Sequence, residues 1–298
     1  MKPQAAAWLF VAPALLVVGV FFVIPVLAGF ALSLTDFDIY ALADPANLRF
    51  AGLDNYLTLL ATPLFWQALG NTLYFVAAGV PLSIGLSLGS ALLLHSRLAR
   101  WPGFYRTVLF APVVTTLVAV AVVWRYLFQT RYGMVNHVLG QAGVGPVDWL
   151  GDPRTAMPAI ILLATWKNFG YNMVIFLAAL QAIPEDIYQA ARLDGASARQ
   201  QLVRITLPML KPTLALVGIL TMAGYFQLFA EPYVMTQGGP LRSTVSVLYF
   251  MYEEGFKWWN FGIASTAAVL LFALMFASTW VIARAARGAG PRARQAGA

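Results

Sequence analysis

Apolar residues form six long runs along the chain, separated mostly by short polar connections. A helix needs about 20 predominantly apolar residues to cross about 30 Å of membrane hydrocarbon. Six runs reach this length: 8–34, 68–94, 107–128, 156–180, 214–235 and 261–282. The pattern predicts an all-α membrane protein with six transmembrane helices. An N-terminal segment (1–7), one long outer loop (35–67) and a tail (283–298) complete the predicted organisation.

The overall composition agrees with a membrane protein. Hydrophobic residues make up 60% of the chain and charged residues 10%, whereas soluble domains carry about 25% charged residues. The absence of cysteine excludes disulfides, thiolate metal sites and cysteine nucleophiles. His95 and His137 are too far apart in sequence to suggest a local metal motif. We therefore predict neither catalytic residues nor a metal site.

The positions of the basic residues predict the orientation of the spans. Basic residues near span ends are retained on the cytoplasmic side. Twelve Lys and Arg residues fall on the faces that include both termini, and five fall on the opposite faces. The excess positive charge (+7) thus reflects the orientation of the spans in the membrane rather than binding of nucleic acid, and we expect no nucleic-acid partner. The Arg-containing segment 288–298 is predicted to be disordered and to contact anionic membrane lipid.

The segment 183–208, between the fourth and fifth spans, predicts a helix-turn-helix on the cytoplasmic membrane surface. Pro184 suits a first helical position, and Glu185 and Asp186 favour the positive end of a helix dipole. Asp194-Gly195 should end this helix and Ser197 should cap a second short one. Pro208 with Pro212 should end the second helix before the next span. Taken alone, these features are also compatible with an ordinary interfacial connector.

The spacing within this segment resembles the EAA loop of bacterial ABC importer permeases. The matching residues are Gln189-Ala190-Ala191, then Asp194-Gly195, then Ile205, Leu207 and Pro208. In that family the loop forms a coupling helix that docks on a separate ATP-binding subunit. The resemblance therefore implies that these residues couple the spans to an ATPase. Gln189 stands where the family usually has Glu, and its amide can still form hydrogen bonds.

Further motifs resemble the carbohydrate-uptake, maltose-type branch of this family, which has a type I ABC importer architecture. They are Phe50 to Tyr56, Trp166 to Asn172, Tyr233 to Pro240 and Tyr252 to Phe256. The long first helix resembles the permease type that pairs with a second, different permease. The resemblance implies a complex with that permease, two ATP-binding subunits and an extracytoplasmic sugar-binding protein in the bacterial inner membrane. ATP and Mg would bind the partner ATPase, because this chain has no P-loop sequence and is predicted to carry no cofactor of its own.

Polar residues inside the predicted spans are candidates for the solute pathway, because such groups usually face the protein interior or a wet cavity. Asn168 and Asn172 should share one face of the fourth span. In the fifth span, Thr221 and Tyr225 share one face, and Gln227 and Glu231 another. These residues could instead hold neighbouring helices together through hydrogen bonds. Lys167 and Glu231 are predicted to form an ion pair or a gate.

The sequence therefore predicts a permease subunit of an ATP-driven, binding-protein-dependent sugar importer, with a glycerol-3-phosphate importer as the runner-up. Lys167 is the one basic residue deep in a predicted span, so a solute that carries a phosphate group stays an alternative. An ion-coupled secondary transporter would need mid-membrane carboxylates, whereas Glu231 is the sole acidic residue in a predicted span and lies near one end. A structural or assembly protein of the membrane is a third alternative. In each case the chain is a multi-pass protein with both termini in the cytoplasm.

Overall fold

The computed structural model describes residues 3–96 and 100–288, and these residues are predominantly helical. Within these ranges the only β-pairing is an isolated antiparallel bridge between Thr35 and Phe50. The helices are α1 (Pro3–Val18), α2 (Ile24–Leu32), α3 (Ile39–Ala43), α4 (Asp54–Ala61), α5 (Pro63–His95), α6 (Pro102–Val114), α7 (Leu117–Leu127), α8 (Met134–Gln141), α9 (Pro153–Gln181), α10 (Glu185–Leu193), α11 (Ala198–Gln201), α12 (Leu207–Met209), α13 (Lys211–Phe226), α14 (Ala230–Met235), α15 (Val247–Tyr252) and α16 (Phe261–Gly288). Three π-helical turns connect neighbouring helices at Gly19–Val23, Leu202–Thr206 and Glu253–Lys257.

The predicted all-α membrane fold is confirmed. In the described part of the chain, five helical segments are long and apolar enough to cross a membrane. They are Phe10–Leu32, Pro63–His95, Pro153–Gln181, Lys211–Met235 and Phe261–Ala285. A bent pair, α6 with α7, supplies a sixth if the pair counts as one span.

The third predicted span is a broken helix. The axes of α6 and α7 differ by 100°. Thr115 and Thr116, at the junction, have extended backbone with ψ of 152° and 135°. The carbonyl of Pro112 accepts from the Thr115 hydroxyl at 2.6 Å, which closes the last turn of α6. Hydropathy alone did not reveal this break, because both sides of it are equally apolar.

The fifth predicted span is also interrupted. Helix α13 ends at Phe226, and Gln227 follows with φ −89° and ψ 28°. Glu231 lies in the first turn of the separate helix α14. The expectation that Gln227 and Glu231 share one face of a continuous helix is therefore wrong, since the helical repeat does not extend across Gln227–Phe229.

The ends of several elements differ from their predicted positions. Helix α1 begins at Pro3 rather than Trp8. The outer loop 35–67 contains α3 and α4, and α5 already begins at Pro63. Residues 283–288 continue α16. The rest of the tail predicted to be disordered, 289–298, lies outside the described residues.

The chain divides into two compact units. The first contains the residues through Trp66 together with Val247–Ala273. In this unit, Asn55 of α4 binds the end of the first span: its Nδ2 donates to the carbonyls of Ser33 and Thr35 at 3.0 and 2.7 Å. The backbone N–H of Gly262 donates to the carbonyl of Phe37 at 3.0 Å. A side chain at 262 would strike the Thr35 carbonyl, so this close approach requires glycine.

The second unit contains Gln67–Ser246 and the end of α16. Its central element is α9, which presents a long series of buried residues. Met173, Phe176 and Leu180 of α9 pack with Ala91 of α5 and Val217 of α13 in the hydrophobic core. Helix α6 also packs on α9, and a side chain at Gly170 would strike the Leu109 carbonyl. The polar residues that α9 carries are consequently held between neighbouring helices.

Candidate functional site: a surface helix-turn-helix and a polar interior

The segment 183–208 forms the predicted helix-turn-helix. Helix α10 begins at Glu185, one residue after the predicted start, with Pro184 in the flanking cap position. Glu185 and Asp186 occupy its first turn, where carboxylates interact favourably with the helix dipole. Gly195 follows the helix with φ +76°, a conformation that glycine adopts without steric penalty.

The second half of this segment is fixed to the first. Ser197 and Gln200 form a reciprocal capping box at the start of α11, with bonds of 3.3 and 2.7 Å. The Tyr188 hydroxyl bonds to the Thr206 hydroxyl at 2.9 Å and thereby joins α10 to the π-turn. Helix α12 ends at Met209, and Pro212 lies in the first turn of α13. Of the predicted coupling residues, Gln189, Ala190, Asp194, Gly195 and Pro208 are exposed, whereas Ala191, Ile205 and Leu207 are half-buried.

Asn172 and Thr221 meet between two helices of the second unit. Asn172 Nδ2 of α9 donates to Thr221 Oγ1 of α13 at 2.8 Å. Both side chains are buried. This bond connects two of the helices predicted to line the solute pathway, and it matches the alternative in which polar residues hold helices together.

Asn168 and Gln227 have exposed side chains and bond to their own helices. Asn168 Nδ2 donates to the Ala164 carbonyl at 2.9 Å, and Gln227 Nε2 to the Ala223 carbonyl at 3.2 Å. Asn168 and Asn172 lie four residues apart on the continuous helix α9 but differ in their burial. Their spacing allowed a shared face, but packing buries one and leaves the other accessible.

Tyr225 lies in a closely packed environment. Its ring stacks on Phe75 with centroids 4.9 Å apart, and a side chain at Gly79 would strike the same ring. The hydroxyls of Ser83 and Thr165 are next to the Tyr225 hydroxyl. All three oxygens are fully buried and none makes a hydrogen bond with acceptable geometry. A buried polar atom without a partner is costly, so a solute hydroxyl or water that reached this cluster would be stabilised.

Lys167 binds the end of the broken third span. Its Nζ donates to the carbonyls of Pro112 and Val113 at 2.9 and 3.0 Å, and the residue is 7% exposed. It makes no direct ion pair with Glu231, which is itself buried in α14. The Pro112 carbonyl also accepts from the Thr115 backbone N–H at 3.3 Å, so the lysine adds a further donor at this helix end. A gating role for Lys167 and Glu231 stays a prediction.

Comparison with protein families identifies the chain. Residues 4–289 match the family described as "Binding-protein-dependent transport system inner membrane component". The chain belongs to this family. It is accordingly a multi-pass inner-membrane protein and a transport subunit, and we refer to it below as the permease.

Named relatives include several sugar permeases. The permease is 36% identical to the lactose transport system permease protein of Rhizobium radiobacter, over 94% of this chain and 93% of the relative. It is 36% identical to the trehalose/maltose transport system permease protein of Thermococcus litoralis, over 94% and 93%. It is 32% identical to an arabinooligosaccharides transport system permease protein of Bacillus subtilis, over 90% and 84%.

A solved structure supports the type I permease fold. The permease superimposes on a chain of a bacterial ABC transporter involved in the import of the acidic polysaccharide alginate. The TM-score is 0.80 at 22% identity, and 96% of each chain is covered. At this identity the likeness concerns the fold alone.

Some polar residues of the permease were not recognised from the sequence as candidates. Ser83, Thr165 and Gly79 surround Tyr225, and Gln67 and Asn71 of α5 bond to the segment after α14. Hydroxyls in the apolar second and fourth spans and the amide of Asn71 were the available signal. Sequence spacing could not show which distant element they face. In the described part of the permease, no group of three metal-binding side chains clusters.

Proposed function

We propose that the permease is one of two different membrane subunits of an ATP-driven, binding-protein-dependent sugar importer. The observation that carries this proposal is family membership together with relatives named as lactose and trehalose/maltose permeases. The partner complex would contain a second permease, two ATPase subunits and a sugar-loaded extracytoplasmic binding protein. Dependence on a binding protein agrees with the family description, and it disfavours the ion-coupled secondary transporter.

The helix-turn-helix is the surface that we assign to the ATPase. Helix α10 projects exposed Gln189 and Ala190, and the following Gly195 is exposed as well. Small side chains permit close approach of a partner, while the Tyr188–Thr206 bond makes the two halves of the segment move together. ATP and Mg would bind in the partner, and closure of the ATPase dimer would pull on α13 through α12. This assignment places both termini of the permease in the cytoplasm.

The solute pathway that we propose runs along α9 and α13. Tyr225, with the neighbouring Ser83 and Thr165 hydroxyls, offers an aromatic face and unpaired hydroxyls of the kind that a sugar ring can contact. Exposed Asn168 and Gln227 offer further donors and acceptors, whereas Asn172 and Thr221 hold the two helices in register. Lys167 already binds two backbone carbonyls. We therefore favour a sugar over glycerol-3-phosphate, whose phosphate would compete for that ammonium.

The proposal is tested with the complete complex in liposomes. ATP hydrolysis and solute uptake are measured while a panel of binding proteins, each with its sugar, is added. We expect one loaded protein to stimulate hydrolysis and its sugar to enter the liposomes. Stimulation and uptake by a glycerol-3-phosphate-loaded protein alone would contradict the sugar assignment, and uptake driven by an ion gradient without ATP would contradict the importer assignment.

A further inference from the structure

The segment after α14 has an unusual backbone. Gln237, Leu241 and Arg242 have φ angles of 51°, 47° and 59°, in the left-handed region that residues other than glycine seldom adopt. Leu241 is 83% exposed. A leucine in this conformation, with an exposed side chain, gains little from its own packing. Contacts from elsewhere must therefore hold the segment in place.

Two side chains of α5 supply those contacts. Gln67 Nε2 donates to the Leu241 carbonyl at 3.0 Å. Asn71 Nδ2 donates to the carbonyls of Arg242 and Val245 at 3.0 and 2.9 Å. Gln67 and Asn71 are four residues apart and so lie on one face of the helix. All three bonds reach backbone oxygen atoms, so they fix the path of the chain rather than the identity of its side chains.

The base of the segment is closed by hydrogen bonds of two threonine side chains, Thr236 and Thr244. The hydroxyls of Thr236 and Thr244 bond at 2.7 Å, and Thr244 Oγ1 lies 2.9 Å from the Gly239 carbonyl. Thr244 is fully buried. The result is a segment, residues 238–245, that is closed at its base by the Thr236–Thr244 bond, held by hydrogen bonds from α5 and exposed at Leu241. We call it the outer finger.

We propose that Gln67 and Asn71 are positioning residues that hold the outer finger in the conformation that receives the loaded binding protein. The inference rests on the proposed function. Along the chain, the coupling segment precedes α13 and α14, and the outer finger follows them. One crossing of the membrane therefore separates the coupling segment from the outer finger. A preformed finger loses less conformational freedom on binding than a flexible one. Because the bonds start from α5, displacement of this helix would also displace the finger.

The first test measures the mobility of the finger. The chain has no cysteine, so Leu241→Cys provides a single labelling site in this subunit of the complete complex. A cysteine-free partner background and a nitroxide label allow its mobility to be read by electron paramagnetic resonance. We expect an immobilised spectrum that becomes mobile in Gln67→Leu/Asn71→Leu. An equally immobile label in that variant would overturn the inference.

The second test measures recognition in complexes without the label. With the binding protein and sugar that stimulate the wild-type complex, the half-saturating concentration for ATPase stimulation should rise about tenfold in Gln67→Leu/Asn71→Leu. Gln141→Leu is the control, because this exposed amide contacts only His137 of its own helix. An unchanged half-saturating concentration in the double variant would overturn the inference.

A conservative variant distinguishes loss of the hydrogen bonds from misfolding of the permease. Asn71→Asp retains the shape of the side chain but removes the amide donors, and it should raise both label mobility and the half-saturating concentration. If the wild-type complex responds to no loaded binding protein, the proposed function fails. The mobility measurement still decides in that case whether Gln67 and Asn71 hold the finger.

Discussion

At the scale of single residues, the interior of the second unit is shaped by close contacts that sequence patterns do not encode. Gly79 lies inside the long helix α5. Its missing side chain leaves the space that the Tyr225 ring occupies. Tyr225 was recognisable from the sequence as an aromatic residue with a polar group in a span, but its partners Gly79, Phe75, Ser83 and Thr165 were not.

Gly79→Ala is expected to displace the Tyr225 ring. Overpacking of this kind costs about 1–3 kcal/mol, so the variant complex should unfold at a lower temperature and transport more slowly. Gly85→Ala is the matched control, because a side chain at Gly85 of the same helix meets nothing within 4 Å. Thermal unfolding and uptake are measured for both. Equal behaviour of the two variants would mean that the Tyr225 ring does not depend on Gly79.

Lys167→Met should weaken the end of α6. The Pro112 carbonyl keeps Thr115 as a donor, but the Val113 carbonyl loses its side-chain donor. An unsatisfied buried carbonyl costs about 1–3 kcal/mol, and we expect a corresponding loss of stability together with slower uptake. The exposed Lys211→Met serves as the control in thermal-unfolding and uptake assays. Unchanged stability and uptake in Lys167→Met would contradict a role for this lysine in fixing the bend.

At the scale of elements, the helix-turn-helix follows its local sequence more closely than any other part of the molecule. Acidic residues at the start of α10, glycine after its end and the Ser197–Gln200 capping box all appear where the sequence predicts ends and caps. Local hydrogen bonds determine these features, so no distant partner is needed. The bend between α6 and α7 involves a distant element as well, since Lys167 of α9 binds the carbonyls at the junction.

Gly195→Val tests the coupling segment. Placing a residue with a side chain at φ +76° costs about 1–2 kcal/mol, and it also adds bulk to the surface that we assign to the ATPase. We expect less ATPase to co-purify with the permease, and uptake to be lost while the spans remain inserted. Co-purification and uptake provide the two measurements.

Gly143→Val is the matched control for Gly195→Val. Gly143 has φ +79° and open space around it, so the backbone strain is the same but the loop is different. Normal ATPase association is expected in this variant. If both variants lose ATPase association equally, strain rather than docking would explain the result. If neither does, the coupling assignment is wrong.

At the scale of the whole molecule, the orientation that we propose rests on the distribution of basic residues, and it would place α10 and the outer finger on opposite sides of the membrane. Both present strongly exposed leucines: Leu193 is 90% exposed and Leu241 is 83% exposed. Because the sequence contains no cysteine, a cysteine introduced at either position can be labelled without labelling any other residue of this subunit.

Cysteine labelling is expected to show this orientation directly. A membrane-impermeant maleimide should modify Leu241→Cys in intact cells, and Leu193→Cys only in inside-out vesicles, because a charged reagent does not cross the hydrocarbon. Ala121→Cys, at a buried position, should react in neither preparation. The opposite pattern at positions 193 and 241 would reverse the proposed topology. Protection of Leu193→Cys by a bound ATPase would additionally support the coupling assignment.

The sequence by itself determined the fold class, the approximate spans and the helix-turn-helix of residues 183–208. Long apolar runs specify spans because the chain can cross the hydrocarbon only as an apolar helix. Helix caps depend on residues that are close together in sequence, so they can be recognised from the sequence alone. The tertiary structure decided where the third and fifth spans break, which of Asn168 and Asn172 is buried, and that Lys167 binds Pro112 and Val113 rather than Glu231. These outcomes depend on which distant helices pack together, and a polar side chain in a span bonds to whichever partner that packing brings within reach.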